Sequence, residues 1–391
     1  MININEEHSK YVKLYSFSSG STSPTDKTLV KEIVSHFDIE VFKNPNSKFL
    51  DPCAGVGTFG VVIYNELLKY HEPKWILEKM IFMVDTLRVN CDIIKKLGFV
   101  NVYNEDYLKL KLNMKFDVII GNPPYQDSGK TQGKNSSLWT KFIITSNGLI
   151  KENGYISFIV PISWIAPSES QKNELKDVFF KNNLVYLNTE CKNFFNVGST
   201  FSYFIIKKNN QYLKTNVNDS FYEDIRFNFL PKKINKITLS IAKKIFFTHD
   251  SKINFSSSLR NDKLIDSGEY FVWYGNTLKR SNFLGKNFDK LKVVVNKPGY
   301  LNPRFDNRNY NTSANNYWVE VSSECEANNI ISFFNSQIGK ILFEKLFKYS
   351  GYNSLGVLKS LPTVIKNHQW DTKKFIEIFN LNEDEIKELT C

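Results

Sequence analysis

Four consecutive residues, Asn122-Pro123-Pro124-Tyr125, follow the apolar segment FDVIIG and are equipped for a specific chemistry. Two prolines fix the backbone and remove two N–H donors, so the carbonyl groups here are left free as acceptors. Asn122 adds a side-chain carbonyl and Tyr125 a flat aromatic face. The arrangement suits a planar group that carries an amine, with two acceptors for its hydrogens and a ring on which it can stack.

The same acceptors indicate how such an amine could react. Its lone pair is normally delocalised into the ring, and accepting both amine hydrogens draws the nitrogen toward tetrahedral geometry. The lone pair can then attack a methyl group in line, without a separate strong base before the attack. This agrees with the absence of an obvious catalytic His or Cys from the sequence. A chance NPPY in a loop is the alternative, and its position directly after a buried strand argues against it.

A second candidate is FLDPCAGVGTF, residues 49–59. A strand is predicted to end at Asp51, small residues including Gly55 and Gly57 follow, and a helix is predicted to begin near Thr58. Glycines let a ligand approach the backbone closely, and a helix N-terminus offers free N–H groups. The spacing matches neither GxGxxG nor GxxxxGK[ST]. A ligand-binding turn and an ordinary strand–turn–helix corner both remain open from this segment alone.

An acidic residue ends each of the next two predicted strands, Asp85 in FMVDT and Asp106 in NEDYL. In a doubly wound sheet, ligands bind at the carboxyl ends of the strands. A carboxylate after the second strand can hold a ribose diol, and one after the third can accept from an adenine amine. Either Asp alone could be a turn or helix cap. Their succession after consecutive strands favours a nucleoside ligand.

The elements that position these residues form an alternating pattern from about residue 48 to residue 208. Strand-like runs alternate with helical patterns of ten or more residues, which predicts an α/β fold with a mostly parallel sheet covered on both faces. Two strand patterns then lie close together, LVYLNTE and FSYFIIKK. Their short connection predicts an antiparallel pair at the sheet edge.

A polar stretch at residues 209–218 is the candidate linker. It separates a predicted catalytic domain, residues 1–210, from an irregular α+β domain, residues 211–391. The last 21 residues from Asp371 predict one or two amphipathic helices. Between Gln211 and Tyr310 there are 18 Lys and Arg residues against 9 Asp and Glu residues, so most of the excess charge lies just past the α/β domain.

Composition limits the class of protein. The chain has 391 residues, a formal net charge of +11 and 15% aromatic residues. Basic charge mixed with aromatic rings suits nucleic acid, whereas a lysine-rich genome bias would give the same composition. No apolar run approaches a membrane span, and the N-terminus lacks a secretory pattern. Five separated cysteines suggest neither a disulfide framework nor a metal site. We expect a cytoplasmic protein without a membrane segment.

The chain resembles the amino-methyltransferases that use S-adenosylmethionine in four features that occur in the same order, namely DPCAGVGTF, Asp85, Asp106 and NPPYQ. The order is most similar to adenine-N6 DNA methyltransferases in which the cofactor motif precedes the catalytic motif and a target recognition domain follows. The resemblance covers about residues 20–208. It implies a Rossmann-like, seven-stranded sheet with the last strand antiparallel.

The resemblance implies a set of cofactor-binding residues. Asp51, Gly55 and Gly57 would lie against the methionine part, Asp85 would bind the ribose, and Asp106 and Tyr107 would meet the adenine. A Thr-Pro stretch of the family that helps to hold the cofactor carboxylate corresponds here to Ser23-Pro24, and whether Thr22, Ser23 or Thr25 supplies the hydroxyl stays open. The complete set of cofactor-binding candidates is Thr22, Ser23, Pro24, Asp51, Pro52, Ala54, Gly55, Gly57, Thr58, Phe59, Asp85, Asp106, Tyr107 and Asn122.

The resemblance also implies how the target base would be held. Asn122 and the Pro123 carbonyl would accept from the target amine within the catalytic set Asn122, Pro123, Pro124 and Tyr125. Tyr125 and Phe201 would stack on the two faces of the base, although Phe201 could equally be a core aromatic. Such a base has left its helix, at a cost of a few kcal/mol that contacts elsewhere must offset. The candidates for DNA contacts, any of which could instead be a solvated surface residue, are Lys232, Lys233, Lys243, Lys244, Lys279, Arg280, Arg304 and Arg308.

These inferences predict a site-specific methyltransferase acting on adenine N6 in double-stranded DNA, as the modification enzyme of a restriction-modification system or as an orphan methylase. We expect a monomer, with a separately encoded restriction endonuclease as the further partner that such a system has. An RNA base methyltransferase is the main alternative, because NPPY serves any such amine. A protein-glutamine methyltransferase would leave the basic C-terminal part without a role, and a non-enzymatic DNA-binding protein would not need both motifs.

Overall fold

The computed structural model describes residues 3–18, 24–125, 138–166, 172–194, 201–209, 211, 213–349 and 351–390. The chain divides into two compact units, and each has its own hydrophobic core. The first unit comprises Met1–Ile162 and Gln171–Arg226, and the second Ser163–Ser170 and Phe227–Cys391. The division therefore falls after Arg226 instead of at residue 210. Within the described residues, no helix is both long enough and apolar enough to cross a bilayer.

The helices of the first unit precede its first strand or lie between its strands. They are α1 Ile4–Ser18, α2 Lys27–Ser35, α3 Ile39–Lys43, α4 Thr58–Leu67, α5 Pro73–Trp75, α6 Arg88–Lys96, α7 Leu138–Leu149 and α8 Lys172–Lys181. The apolar face of α2 shows why such segments fold here: Leu29, Val30, Ile33 and Val34 recur at helical spacing and are buried. The helix begins where the Asp26 carboxylate accepts hydrogen bonds from the N–H groups of Thr28 and Leu29.

The strands of the first unit form one sheet. They are β1 Phe49–Asp51, β2 Ile81–Asp85, β3 Asn101–Asn104, β4 Phe116–Gly121, β5 Ile150–Pro161, β6 Asn183–Asn188, β7 Phe201–Lys207, β8 Thr215–Val217 and β9 Phe221–Glu223. Their order across the sheet is β3-β2-β1-β4-β5-β7-β6-β8-β9. The strands from β3 to β5 pair in parallel, while β7 runs antiparallel between β5 and β6.

This sheet confirms the predicted α/β class, its mostly parallel sheet and the antiparallel β6–β7 pair. The prediction of seven strands with that pair at the edge was wrong. Within the described residues this sheet has nine strands, because β8 pairs in parallel with β6, and β9 pairs antiparallel with β8. These two strands have three residues each, too few to give a recognisable alternation. β8 lies within the predicted linker, residues 209–218, and β9 directly follows it. The first unit therefore extends to Arg226.

The strand order places a topological switch point between β1 and β4. The chain proceeds outward from β1 through β2 to β3 and then returns to the other side of β1 with β4. Ligands of such sheets bind beyond the carboxyl ends of the strands at this point, because the loops after the two strands diverge there. The segments after β1 and β4 are the glycine-containing turn and Asn122-Pro123-Pro124-Tyr125.

The second unit is α+β, with helices and short, mostly antiparallel strands. The helices are α9 Lys236–Ala242, α10 Glu324–Asn335, α11 Gln337–Ile341, α12 Leu355–Lys359, α13 Thr372–Phe379 and α14 Glu383–Thr390, and the strands are β10 Ser256–Ser257, β11 Tyr270–Tyr274, β12 Thr277–Ser281, β13 Leu291–Asn296, β14 Arg304–Asn307, β15 Asn311–Thr312 and β16 Asn316–Glu320. One sheet has the order β10-β16-β13-β14 and a second has the order β12-β11-β15. Two C-terminal helices follow Asp371, as the amphipathic pattern predicted.

A buried ion pair joins two neighbouring strands in one sheet of the second unit. Lys292 of β13 and Asp306 of β14 face each other across the strand register, with Nζ and Oδ2 3.3 Å apart and both side chains fully buried. Burial lowers the pKa of Lys292, and the adjacent Asp306 opposes that shift. Asp306 also accepts hydrogen bonds from the Trp273 indole of β11, at 3.2 Å, and from the Asn309 N–H. The carboxylate therefore ties β11 to the other sheet.

Replacing Asp306 by Ala should reduce the free energy of unfolding of the second unit by about 3–5 kcal/mol, because it leaves the Lys292 charge buried without a partner. The double variant Lys292→Met/Asp306→Leu removes both charges and should lose clearly less. Urea titrations of the two variants and the native protein give the comparison. Equal losses in the two variants would show that the ion pair itself is not what the single substitution disrupts.

Candidate active site

The turn after β1 adopts backbone conformations that favour glycine. Gly55 has a φ of +53° and Gly57 a φ of +88°, and Gly57 occupies the N-cap of α4. A Cβ on Gly57 would lie 3.3 Å from Ile94 Cγ1, whereas a Cβ on Gly55 would meet nothing within 4 Å. The turn is closed by a 2.8 Å hydrogen bond from the Gly57 N–H to the Ala54 carbonyl. It thus presents an open backbone surface at Gly55 next to a helix N-terminus.

Asp51, at the end of β1, has a buried carboxylate oxygen that lacks a hydrogen-bond partner among the described residues. Its carboxylate is buried, and Oδ1 accepts from the Cys53 N–H at 3.1 Å. Among the described residues, no donor reaches the buried Oδ2. Burial raises the pKa of Asp51 to about 8, with a further contribution from the Asp85 charge and opposition from the Cys53 hydrogen bond. A buried carboxylate oxygen without a donor fits a cationic or N–H-bearing ligand group.

Asp85, at the end of β2, is held by several donors. Its Oδ2 accepts from the Gly55 N–H at 2.8 Å, and Oδ1 accepts from the Leu87 N–H at 2.8 Å and the Asn90 amide at 3.0 Å. Burial raises the pKa of Asp85 in spite of these hydrogen bonds. The side chain therefore fixes the glycine turn relative to β2. Because each carboxylate oxygen has two lone pairs, Oδ2 retains an acceptor position.

The two residues predicted after β3 have local partners. Asp106 Oδ1 accepts from the Leu108 N–H at 3.0 Å, as a turn-capping Asp does, and Oδ2 lies 3.3 Å from Lys109 Nζ. Tyr107 is buried, with its hydroxyl 2.8 Å from Ser146 Oγ and its ring against Phe142. Their contact with a cofactor adenine stays a prediction.

After β4, the Asn122 side chain is engaged on both ends. Its amide donates to Thr25 Oγ1 at 3.2 Å, and its Oδ1 accepts from the Tyr125 hydroxyl at 2.5 Å. Burial raises the pKa of Tyr125, so this hydroxyl stays protonated and a donor. Among the described residues, none donates to the Pro123 carbonyl. Of the two predicted amine acceptors, the Pro123 carbonyl is thus free among the described residues, and Asn122 Oδ1 already accepts one hydrogen bond, from Tyr125.

Tyr125 and Phe201 lie together, as the sequence predicted, but with no gap between them. Their ring centroids are 5.0 Å apart and the planes are tilted by 35°. Phe201, the first residue of β7, is buried. A ring held between two others needs centroids about 7 Å apart, twice the carbon contact distance of about 3.5 Å. These two aromatic side chains must therefore separate before a base can enter.

Sequence reasoning missed Gly121, the last residue of β4. A Cβ there would lie 3.0 Å from both Asp51 Oδ1 and Cys53 Sγ. Glycine lets the end of β4 approach the end of β1 this closely without displacing these side chains, and Asn122 follows it directly. Its place directly before Asn122 in the sequence is the signal that indicates a close approach of the backbone here. Thr25 Oγ1 accepts a hydrogen bond from the Asn122 amide, whereas the resemblance predicts for this hydroxyl only a part in cofactor binding.

The remaining predicted cofactor residues divide into three groups. Thr22 and Ser23 lie outside the described residues, and Pro24 directly precedes Thr25. Pro52, Ala54 and Phe59 are buried around the turn. The Thr58 hydroxyl lies 3.4 Å from the buried His8 Nε2 of α1, and burial lowers the pKa of His8 to about 4, which keeps it neutral.

The eight basic candidates of the second unit differ in their surroundings. Lys233 pairs with Glu388, and Lys244 donates at 2.7 Å to the buried Glu385 and to the Asn380 carbonyl. The Arg304 guanidinium covers the Trp273 ring at 4.2 Å. Lys232, Lys243 and Arg308 are exposed, and Lys279 and Arg280 belong to β12. Lys244 and Arg304 are held by contacts within the unit, so the exposed basic residues among the eight are the better candidates for DNA contacts.

Comparisons with known proteins agree with the sequence resemblance. Residues 67–195 match the family model of the Eco57I restriction-modification methylase. An uncharacterised adenine-specific methylase of Mycoplasma pneumoniae is 32% identical over 127 residues, which are 30% of this chain and 29% of that protein. The resemblance to adenine-specific methylases is thereby confirmed for the central part of the chain. The match spans less than a third of the curated relative's length.

Solved structures resemble the fold. The type IIL restriction-modification enzyme MmeI in complex with DNA aligns over 86% of this chain and 67% of that chain, with a TM-score of 0.51 and 10% identity. A modification subunit of a type I restriction enzyme from Vibrio vulnificus aligns over 55% of this chain and 52% of that chain, with a TM-score of 0.44 and 14% identity. At these identities the likeness concerns the fold alone.

The surroundings of Asp51 predict a pH dependence for binding of S-adenosylmethionine, the cofactor that the resemblance implies. With a pKa of about 8 in the free protein, Asp51 is mostly protonated at neutral pH and must ionise to hold an ammonium group. Cofactor affinity should therefore rise by up to about tenfold per pH unit between about pH 6 and 7.5. Isothermal titration calorimetry at several pH values measures this slope.

Two variants separate this effect from general electrostatics. Asp51→Asn should bind more weakly and lose the pH slope, while Asp250→Asn, at an exposed position, should keep it. A native slope of zero, or an unchanged slope in Asp51→Asn, would show that Asp51 does not hold the ammonium group.

Proposed function

We propose that this chain is an S-adenosylmethionine-dependent DNA methyltransferase that modifies the N6 amine of an adenine rotated out of the duplex. The observation that carries this proposal is the meeting of three features at the β1–β4 switch point. These are the unpartnered Oδ2 of Asp51, the open turn at Gly55, and the acceptors of Asn122 and Pro123. The sequence matches to adenine-specific methylases support the same reading.

The residues after β1 and β2 fit the proposed cofactor. The Asp51 carboxylate suits the ammonium group of a methionine moiety, because it offers a buried oxygen without a donor. The open backbone at Gly55 leaves room beside it, and Asp85 Oδ2 can accept from a ribose hydroxyl. Pro24 and Thr25 would lie near the cofactor carboxylate, and Asp106 and Tyr107 near its adenine. Bound S-adenosylmethionine would supply an electrophilic methyl group at this edge of the sheet.

The loop after β4 would hold and activate the target amine. The Pro123 carbonyl and Asn122 Oδ1 accept its two hydrogens, which localises the nitrogen lone pair for attack. The Tyr125 hydroxyl donates to Asn122 Oδ1 in the structure, so it shares that oxygen with the target amine unless the tyrosine side chain moves. The same movement separates Tyr125 from Phe201, so the base can insert between them. Arrival of the base and release of the acceptor are thus coupled.

The second unit, with the basic segment that begins before it, is proposed as the DNA recognition domain. Its exposed basic residues would neutralise phosphates, while a minority could contact base edges. Contacts over this surface would offset the few kcal/mol required to unpair and unstack the target adenine. We further propose a monomeric, cytoplasmic enzyme that serves as the modification component of a restriction-modification system.

Transfer of a labelled methyl group tests the proposed activity. The protein is incubated with methyl-labelled S-adenosylmethionine and, separately, plasmid DNA, transfer RNA or a protein-glutamine substrate such as a release factor. We expect label in DNA alone, at the adenine N6 position after nucleoside digestion. Label in RNA or protein would instead assign the amine-binding loop to one of those substrates.

Asn122→Ala should reduce the rate of transfer by about 10²–10³-fold, because one acceptor of the amine is lost in the transition state. Cofactor affinity should change little. Asn46→Ala, the same substitution at an exposed position, is the matched control and should be fully active. Retention of activity in Asn122→Ala would contradict the role given to its side-chain carbonyl.

Substitutions of Tyr125 separate its ring from its hydroxyl. Tyr125→Phe keeps the stacking face and frees Asn122 Oδ1, so single-turnover transfer should be at least as fast as in the native protein. Tyr125→Ala removes the ring and should slow transfer by about 10–100-fold, as stacking on a base is worth about 1–3 kcal/mol. If Tyr125→Phe were as slow as Tyr125→Ala, the hydroxyl itself would be required for the reaction.

A further inference from the structure

The β11–β12 hairpin of the second unit has an unusual surface. It is a two-stranded antiparallel ribbon whose strands pair from Tyr270 opposite Ser281 to Tyr274 opposite Thr277. Side chains directly opposite each other project from the same face of such a ribbon. One face therefore carries two cross-strand pairs, Phe271 with Arg280 and Trp273 with Leu278.

Cations and aromatic rings alternate over this hairpin. The Arg280 guanidinium lies 4.1 Å from the Phe271 ring centroid, and Arg304 lies 4.2 Å from that of Trp273. On the other face, Lys279 Nζ lies 4.4 Å from the Tyr274 centroid. Both guanidinium distances are within the range of a cation–π contact. Such a stack presents N–H donors and apolar ring edges side by side.

Much of this surface is exposed although it is apolar. Phe271 is 39% exposed and Leu278 is 41% exposed. The chain continues from β12 to Phe283, which is 51% exposed and lies under Lys263 Nζ at 4.8 Å. Hydrogen bonds of the 263–265 segment to β12 keep these residues beside the hairpin. We define the hairpin surface as Lys263, Phe271, Leu278, Lys279, Arg280 and Phe283.

The charge of the region indicates what this surface contacts. From Lys263 to Tyr310, the segment that contains the hairpin surface, there are nine Lys and Arg residues and four Asp and Glu residues. Asp306 and Lys292 are buried against each other, so neither contributes an exposed charge. A polyanion is therefore attracted to this part of the unit. Exposed aromatic and aliphatic side chains among the cations suit a partner with bases as well as phosphates.

The hairpin is also anchored as a rigid element. Its turn, Gly275-Asn276, has a φ of +59° at Gly275, the first turn position, where tight hairpins favour glycine. The Gly275 N–H donates to Asn316 Oδ1 at 2.9 Å, and its carbonyl accepts from Arg304 and Asn316. Further bonds join Asn276 Oδ1 to the amides of Asn296 and Asn302, at 2.6 and 2.7 Å.

The residues that anchor the hairpin differ from those that it exposes. The turn is held by Asn296, Asn302, Arg304 and Asn316, and the middle of β11 by the Trp273–Asp306 hydrogen bond. The residues of the hairpin surface take no part in these bonds through their side chains, apart from Arg280, which donates to the Gly268 carbonyl. The hairpin thus combines anchoring contacts with exposed side chains on both of its faces, as a docking element requires.

We propose that the β11–β12 hairpin is the element of the second unit that enters a groove of duplex DNA. This proposal rests on the proposed function, since it names the surface by which the methyltransferase holds its substrate. A two-stranded ribbon fits the major groove of B-DNA, about 12 Å wide. There Lys263, Lys279 and Arg280 contact phosphates or guanine edges, and Phe271, Leu278 and Phe283 pack on thymine methyl groups and the sugar edges of the groove. Major grooves of A-form RNA are too narrow for such a ribbon.

The test measures duplex binding against salt concentration for two matched charge variants of the full chain. Lys279→Gln/Arg280→Gln removes two charges from the hairpin, and Lys373→Gln/Lys387→Gln removes two exposed charges from the C-terminal helices. Fluorescence anisotropy with a 30-base-pair duplex of mixed sequence gives the slope of log affinity against log salt. The hairpin variant should lose about 1–2 units of slope and about tenfold or more in affinity at low salt, and the control should lose neither.

A third variant distinguishes a groove contact from charge alone. Phe271→Ala/Leu278→Ala should weaken duplex binding several-fold with an unchanged salt slope, while circular dichroism and thermal melting report that the unit is folded. Equal loss of slope in the hairpin and control charge variants would overturn the proposal, as would a hairpin variant with native slope and affinity. Tighter binding of a transfer RNA than of the duplex would assign the surface to RNA. A loss of dimer mass in the third variant by light scattering would assign it to a second copy of the chain.

The duplex-binding test of the hairpin can fail independently of the methyl-transfer test of the proposed activity. If the native protein binds duplex DNA through the hairpin but transfers no methyl group to it, the proposed reaction fails and the hairpin assignment stands. If the native protein methylates DNA and the hairpin variants methylate plasmid as fast as native at limiting DNA, the hairpin assignment fails and the reaction stands.

Discussion

The parallel pairing of β1 with β4 is the contact on which the candidate site depends. The register aligns Phe49 with Val118 and Leu50 with Ile119, so the two strands end at the same edge of the sheet. Glycine at position 121 then permits the ends to approach until a Cβ would touch Asp51 and Cys53. Asp51 and Gly121, which are 70 positions apart in sequence, thereby become neighbours, and Asn122 follows Gly121 directly. The cofactor side and the target side of the proposed reaction are brought together by backbone pairing alone.

Local pattern predicted this edge well because each of its parts has its own signal. The Pro123-Pro124 pair, the acidic end of β2 and the glycine turn are each recognisable within about ten residues, and alternating strands and helices determine which edge they share. By contrast, the hydrogen bond from Tyr125 to Asn122 depends on a side-chain rotamer, and the close contact at Gly121 depends on a partner from a distant strand. Neither has a signature in the order of residues.

The second unit was predictable only in outline. Its charge excess and irregular pattern can be read from composition, whereas its hairpin strands have five residues each and a mixed polar and apolar pattern. What makes the hairpin a defined element is a network of asparagine side chains and one buried ion pair. Such contacts join residues from four separate strands. Propensity and periodicity describe single segments, so they cannot reveal a network of this kind.

The separation of anchoring and exposed residues in the hairpin has an evolutionary consequence. The ribbon is held in place by contacts of Asn296, Asn316, Lys292 and Asp306. Substitutions at the exposed positions of the hairpin leave those contacts intact. Exposed positions such as Phe271 and Leu278 can therefore drift without unfolding the unit. If the hairpin contacts DNA as proposed, a lineage of such proteins could acquire new target sequences by changing a handful of exposed side chains, while inheriting one scaffold and one sheet edge unchanged.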